Sequence, residues 1–325
     1  MTEKVKTPRV SVIIPCYNTA QYVAEAVGSA FAQTYSDYEV VIVNDDSPDT
    51  VELELALTPW WDKIVYVKTE NCGLAGARNN GIRAAKGELI ALLDSDDIWE
   101  PNYLEVQVRK LDENPSADVV YPRTLIFGDG PGSGTRSRAS RGEVTFISLI
   151  QEACSVCVSV LARREALERV GLFDSSFRSC EDFDMWLRCV KSGSRIIYHD
   201  QVLVRYRRRK DSLSSDPVWM RGHAAKVLMK MRDAVQMTPE ERDVLEATLR
   251  RFEGERLFHE GKRAFEAGDI PTAIDRLQQS NSRWGGVRTR MILFLLRTMP
   301  GLTRAAYVWK SRIAKDDAAG HVGSR

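Results

Sequence analysis

Carboxylates gather at three places along the chain, and each setting suggests a different chemistry. Asn44-Asp-Asp-Ser47 and Asp94-Ser-Asp-Asp97 each follow a short apolar run, and Glu181-Asp-Phe-Asp184 opens a helical pattern. One Asp after a strand can simply cap the next helix. Two clusters of like charge at neighbouring strand ends need a cation or a donor to offset them. A divalent ion, Mn2+ or Mg2+, supplies that offset when one or two carboxylates hold it together with phosphate oxygens. The third cluster reads either as a cap on the positive end of a helix or as a general base. Only four His are present and none falls in the strand-end clusters, so a carboxylate is the natural base. Asp182 is the candidate, because the charge of Glu181 beside it in a cleft raises its pKa.

Other ways of cradling phosphate are missing from the sequence. No G-x-x-x-x-G-K-[ST] follows a strand, and no G-x-G-x-x-G opens the first helix. Within Asn71-Cys-Gly-Leu-Ala-Gly-Ala-Arg-Asn79, the side chains Asn71, Arg78 and Asn79 can reach a nucleotide. The six cysteines sit among apolar neighbours, as reduced buried thiols do. Cys154-x-x-Cys157 is half a zinc site without its second pair.

Regular elements have to position these clusters. Arg9–Ile14, Tyr38–Val43, Ile64–Val67 and Glu88–Leu93 are short, nearly continuous apolar runs, the pattern of buried parallel strands. Helical patterns over 20–32, 49–57 and 74–85 alternate with them, which predicts an α/β fold with right-handed crossovers. Further strands are expected at 119–121, 156–161, 195–198 and 202–206, and helices at 103–113, 164–170 and 182–192. In such a sheet, ligands collect beyond the carboxyl ends of the strands, where the clusters lie. Gly128–Arg141 has no periodicity and reads as a disordered surface loop or as a mobile, acceptor-binding lid. After about Ser215 only helical patterns continue, so the expected domains are 1–215, catalytic, and 216–325, helical. Phe265–Leu277 is similar to the second half of a tetratricopeptide repeat, and a single such unit predicts a packed helix pair rather than an array.

With 325 residues, 43% apolar and 28% charged, the composition is that of a globular protein. A net charge of +1 argues against a nucleic-acid binder. No apolar run approaches a spanning length and the N-terminus lacks a signal core, so the expected location is cytoplasmic. The charge is uneven, however. Nine of the 46 Lys/Arg lie between 276 and 315, which holds no Asp or Glu, leaving 37 basic against 45 acidic residues elsewhere. Apolar Met291–Leu296 and the face Leu302, Ala305, Ala306, Trp309 and Ile313 accompany those cations. The pattern fits peripheral contact with an anionic membrane at its cytoplasmic face, or a basic helix packed on the acidic catalytic domain.

Taken in order, the motifs resemble the family 2 glycosyltransferases of the GT-A fold, over about residues 8–215. The resemblance rests on Val10-Ser-Val-Ile-Ile-Pro-Cys-Tyr-Asn18, Val41-Ile-Val-Asn-Asp-Asp-Ser47, Glu70–Asn79, Asp94-Ser-Asp-Asp97 and Glu181-Asp182 with Trp186 and Arg188. It implies a Rossmann-like, mainly parallel sheet with helices on both faces. It also implies inverting transfer of a sugar from a nucleotide diphosphate sugar, UDP-linked, to a hydroxyl of a glycan or lipid-linked acceptor. By position, Pro15, Tyr17 and Asn18 would border the base and ribose, and Asp45 would bond the uracil. Asn71 and Arg78 match further nucleotide contacts. Asp94-Ser95-Asp96 matches the DXD motif, with Asp94 towards the ribose and Asp96 holding the metal. Asp182 matches the catalytic base. Where the family often has Tyr-Arg-x-His, this chain has Tyr206-Arg-Arg-Arg209, so a histidine ligand gives way to arginines that either contact the diphosphate or form a solvated basic strand end. A sugar nucleotidyltransferase would need a Gly-rich basic loop after the first strand, which Pro15-Cys-Tyr-Asn18 is not. A silent nucleotide-sugar-binding scaffold is opposed by the intact Asp96 and Asp182.

Overall fold

The computed structural model describes residues 7–129, 132–140, 142–154, 156, 159–209 and 216–302, with Arg288 by its backbone alone. The described residues fall into two compact units, one drawn from Met1–Ser215 and Val227–Leu245, the other from Asp216–Lys226 and Glu246–Arg325.

The first unit is built on an eight-stranded sheet. Strands β1 (Val10–Cys16), β2 (Tyr38–Asp45), β3 (Ile64–Thr69) and β4 (Leu89–Leu92) alternate with helices α1 (Ala20–Phe31), α2 (Thr50–Leu57) and α3 (Gly73–Ala84). Then come β5 (Ile98–Trp99), α4 (Tyr103–Glu113), β6 (Val119–Phe127), α5 (Phe146–Ile150), β7 (Leu161–Arg163), α6 (Arg164–Arg169), α7 (Glu181–Lys191) and β8 (Ile196–Arg207). The strand order is β3-β2-β1-β4-β7-β6-β8-β5. Pairings among β1–β4 are parallel, as is β6 with β8, whereas β7 runs antiparallel to both β4 and β6, and β5 to β8.

All seven residues of β1 are buried, because layers cover both faces of the sheet there. Val10, Val12 and Ile14 join Val23, Val27, Leu53 and Leu104 in one core. Ile13 faces the other way, against α3, and a Cβ on Gly81 would fall 2.3 Å from its Cγ2. Glycine is therefore what lets α3 lie close enough to β1 for its N-terminus to reach the strand ends.

Several expectations shift. The strands expected at 195–198 and 202–206 are one strand, β8, irregular in its pairing with β6 around Pro122 and Arg123. The strand expected at 156–161 is displaced to Leu161–Arg163, and β5, only two residues long, was not expected. Gly128–Arg141 is not a free loop across its described part. It folds back on β6, with Ile126 N–H donating to Thr135 O and Ser137 N–H to Thr124 O.

Helices α8 (Pro217–Ala234) and α9 (Pro239–Ala267) contribute to both units, and α10 (Ile270–Trp284) and α11 (Val287–Thr298) belong to the second. A Cβ on Gly254 would meet Trp284 Cβ at 2.7 Å, and one on Gly261 would meet Leu277 Cγ at 2.8 Å, so two glycines seven apart seat α10 on α9. Phe265, Ala273, Leu277, Leu293 and Leu296 form this unit's core. The tetratricopeptide-like stretch covers the end of α9, the turn and the first half of α10, a packed helix pair as expected. The tail positions Ala305, Ala306, Trp309 and Ile313 lie outside the described residues, as does Cys157.

Candidate active site

Three strand ends and one helix start carry the candidate residues. Chain geometry ties the first two ends together: Asn18, held at φ +53°, donates its N–H to Ser47 Oγ at 2.7 Å, and Ala20 N–H donates to Asp49 Oδ2 at 2.8 Å. Pro15 is inside β1, and Tyr17, just past its end, is 53% exposed. Thr19 Oγ1 and Ser95 Oγ, 2.8 Å apart, join β1 to the turn after β4.

Asp45 ends β2 and is 2% exposed. Its Oδ1 accepts the backbone N–H of Cys72 at 2.9 Å and the thiol at 3.0 Å, while Asn71 Nδ2 donates to its backbone oxygen at 3.0 Å. Asp45, expected to bond the base, and Asn71, expected as a further nucleotide contact, are thus side by side, and Cys72, for which no role was expected, holds Asp45.

The β4 end is more heavily charged. Burial, and then the Asp94 charge, push the Asp96 carboxyl up to about 6. Asp97 is raised as well, first by burial and then by Asp94 and Asp96. Each aspartate has a basic counterpart. Arg78 Nη2 donates to Asp94 Oδ1 at 2.8 Å, Arg209 Nε lies 3.3 Å from Asp96 Oδ2, and Arg207 donates its backbone N–H to Asp97 Oδ1 at 2.8 Å. Arg207 Nε also donates to the Asp96 carbonyl, and its guanidinium rests 4.8 Å from the Tyr22 ring centre and 4.4 Å from that of Phe127. The pairing of β5 with β8 explains the approach: Ile98 lies opposite Arg205, so the strand leaving the carboxylates runs beside the arginines. Arg207 and Arg209 are therefore engaged residues and not a solvated strand end.

Arg78 departs from its expected place. Its side chain is fully buried, bonding Glu181 Oε1 at 2.5 Å as well as Asp94, with its guanidinium 5.5 Å from the Phe173 ring centre. It bridges the β4 end to the start of α7 and is committed inside the protein rather than to a nucleotide. Helix α7 begins after Cys180 in the left-handed region, φ +63°. Glu181 is consumed by Arg78, but Asp182 is half-buried and accepts the N–H of its neighbour Phe183 at 2.8 Å. Burial first and the Glu181 charge second push its carboxyl up to about 7, with Arg78 pulling the other way. A carboxylate near pKa 7 can take a proton at neutral pH.

A second residue of the cluster, Asp184, escaped the sequence reading. It is fully buried, accepting from Lys230 Nζ at 2.6 Å and Arg188 Nε at 2.7 Å, and so locks α7 in place. Only the spacing Glu181-Asp-Phe-Asp184 hinted at it, since Lys230 lies 46 residues away.

Comparison with known proteins bears on this arrangement. Residues 11–171 match the family described as Glycosyl transferase family 2. The putative teichuronic acid biosynthesis glycosyltransferase TuaG of Bacillus subtilis is 30% identical over 212 residues, 64% of this chain and 82% of that protein. The chain belongs to glycosyl transferase family 2. Uncharacterized glycosyltransferases of Rickettsia felis and Rickettsia prowazekii are 34% and 33% identical, and the chain spans only 34% and 66% of their lengths. Two solved structures share the fold. TarS of S. aureus, in complex with UDP-GlcNAc, superposes with a TM-score of 0.60 at 20% identity, over 89% of this chain and 87% of that one. The mannosyltransferase PcManGT of Pyrobaculum calidifontis, in complex with GDP-Man and Mn2+, gives 0.60 at 21% identity, over 93% and 85%. The fold of this family member is GT-A, with a C-terminal region of several helices.

Proposed function

We propose that this chain transfers a sugar from a nucleotide diphosphate sugar, UDP-linked, to an acceptor hydroxyl with inversion at the anomeric carbon, in the synthesis of a glycan or polysaccharide. The observation that carries the reading is Asp182. It is a partly accessible carboxylate with its pKa near 7, tied through Glu181 and Arg78 to the strand-end carboxylates. Asp182 accepts the acceptor proton as the acceptor oxygen attacks the anomeric carbon. The carbon–oxygen bond to the diphosphate breaks on the opposite side, and its electron pair leaves with the diphosphate. Arg209 and Arg207, beside Asp96 and Asp97, meet that growing negative charge with guanidinium donors suited to phosphate oxygens. Asp45 and Asn71 read the base, Tyr17 and Asn18 border it, and Pro15 shapes the strand end beneath.

The β4 end also suits a divalent cation. Its donors are hard oxygens, and the raised pKa of Asp96 marks a carboxylate that gains from added positive charge. Asp96, with Asp94 beside it, would hold the ion. Among the described residues no three ligand side chains converge on one point, which fits an ion completed by diphosphate oxygens rather than a protein cage. Bound there, Mn2+ or Mg2+ would neutralise charge on the departing diphosphate.

Thermal-shift titration with UDP-, GDP- and dTDP-sugars, with and without Mn2+, tests donor binding, since a ligand of the folded state raises its melting temperature. Stabilisation by a UDP-sugar together with acceptor-dependent release of UDP is expected. Binding without any turnover would leave a nucleotide-sugar-binding scaffold in place of an enzyme.

A further inference from the structure

Helix α11 is apolar on two opposite faces, and only one of them has a partner. Thr289, Leu293 and Leu296 point inward, where the two leucines meet Ala273 and Leu277. Val287, Met291, Phe294 and Leu295, spaced i, i+4, i+7 and i+8, form a second stripe that is 65%, 61%, 66% and 42% exposed. Leu302, just beyond the helix, is 71% exposed and extends the stripe. Exposed Arg290 and Arg297 flank it on one side, Arg297 donating to the uncharged Gln278 at 2.6 Å. An apolar stripe bordered by arginines, on a helix without a single acidic residue, is the construction of a helix that lies in a lipid–water interface. Trp284, half exposed at the end of α10, adds a ring of the kind that settles at headgroup level.

We infer that this outer face of α11 docks on an anionic lipid bilayer. Charge selects the occupant. A second copy would bring the same arginines against the first. Residues 303–315 of the chain itself carry Arg304, Lys310, Arg312 and Lys315 with no acid, so folding them over the stripe would also stack cation on cation. Arg276 and Arg283 pair with Glu260 and Glu253 of α9, but anionic headgroups complement the rest of the segment, 288–315, with its seven Lys/Arg and no Asp or Glu. Among the described residues no helix is long and apolar enough to cross a membrane, so docking is peripheral. A surface of this kind is also where a lipid-linked acceptor is presented.

The test is flotation of the full chain with vesicles of phosphatidylcholine alone and of phosphatidylcholine mixed with phosphatidylglycerol. The parent should float only with the anionic vesicles, and less at raised salt. Phe294→Glu should lower binding about tenfold or more, and Arg290→Gln with Arg297→Gln about fivefold per arginine. These side chains are exposed, so melting temperature and donor binding on the same samples should match the parent; that measurement also separates a failed docking face from a failed active site. Four results would overturn the inference: no flotation with either vesicle, equal flotation of Phe294→Glu and parent, loss of binding only on removal of the residues after Leu302, or a dimer in sedimentation that Phe294→Glu splits.

Discussion

Strands β2 and β4 flank β1 and both lead into aspartates, yet the two ends are held in opposite ways. Asp45 at the end of β2 is held by uncharged groups, the N–H and S–H of Cys72. The aspartates after β4 face Arg78, Arg207 and Arg209, and still carry raised pKa values at Asp96 and Asp97. A carboxylate fixed by neutral donors keeps its direction, which suits reading the hydrogen-bond pattern of a flat base. A crowd of carboxylates balanced by guanidinium groups suits a step in which charge appears and must be absorbed. The first region should therefore respond to substitution through donor affinity, and the second through rate, stability and pH.

The sharpest division is expected at Asp182. Asp182→Asn should lower transfer by about 10²–10⁴-fold while donor binding by calorimetry is unchanged. Its pKa near 7 gives the parent a rate that climbs with pH up to about 7 and is level above, as the base must be ionised; the groups around it are Glu181, Arg78 and Asp94. Stability should run the other way. The folded-state pKa lies above the ordinary carboxylate value of 3.8, so the stabilisation is full below pH 4 and lost as pH rises through about 7. Asp182→Asn, which never ionises, should melt higher than the parent at pH 8 and no higher at pH 4. A variant that loses donor affinity as well would blur the two regions into one.

Arg78 tests whether the charged end is also structural. Removing a buried guanidinium leaves Glu181 and Asp94 without a partner, a loss of about 3–5 kcal/mol. Arg78→Ala should lower the melting temperature by about 10 °C, seen by calorimetry at neutral pH. If it melts like the parent and only weakens donor binding, the arginine touches the nucleotide after all and the internal bridge is wrong.

How far the sequence reached follows the same divide. The parallel half of the sheet was legible because strands buried on both faces read as nearly continuous apolar runs, as in Val10–Ile14 and Tyr38–Val43. The other half was not. Ile98–Trp99 is too short to leave a pattern, and β8 passes through His199, Asp200 and Gln201, whose polarity looks like a break. Residue types marked the Asp94–Asp97 and Glu181–Asp182 clusters, which Arg78 bridges in the structure. They did not say that Arg78 would turn inward, since burial of an arginine depends on Glu181, 103 residues away. Lys230 and Asp184 were invisible for the same reason.

A smaller effect belongs to Arg209. Its partnership with Asp96 puts a cation where a metal would sit, and its charge also faces the diphosphate. Arg209→Gln should weaken UDP-sugar binding about tenfold, the worth of a charge-assisted hydrogen bond. In the same variant Mn2+ alone, followed by electron paramagnetic resonance, should bind Asp96 more tightly than in the parent. Weaker binding of both would make the arginine a structural support of the turn and not a counter-charge.

The smallest effect should come from the neutral region. Burial, and then the hydrogen bond and charge of Asp45, push the Cys72 thiol up to about 11, so at neutral pH it stays protonated and donates. A thiol is a weak donor, and the Cys72 N–H continues to hold Asp45 when the sulfur is gone. Cys72→Ala should raise the Michaelis constant for the donor about two- to fivefold, with turnover and the pH profile unchanged. Cys72→Ser should restore the constant, because a hydroxyl replaces the donor; Gly76, whose absent Cβ would lie 2.6 Å from the sulfur, leaves room for either side chain. A change in turnover or in the pH limb would mean that the β2 end feels the charge transferred at β4, and that the two strand ends work as one site.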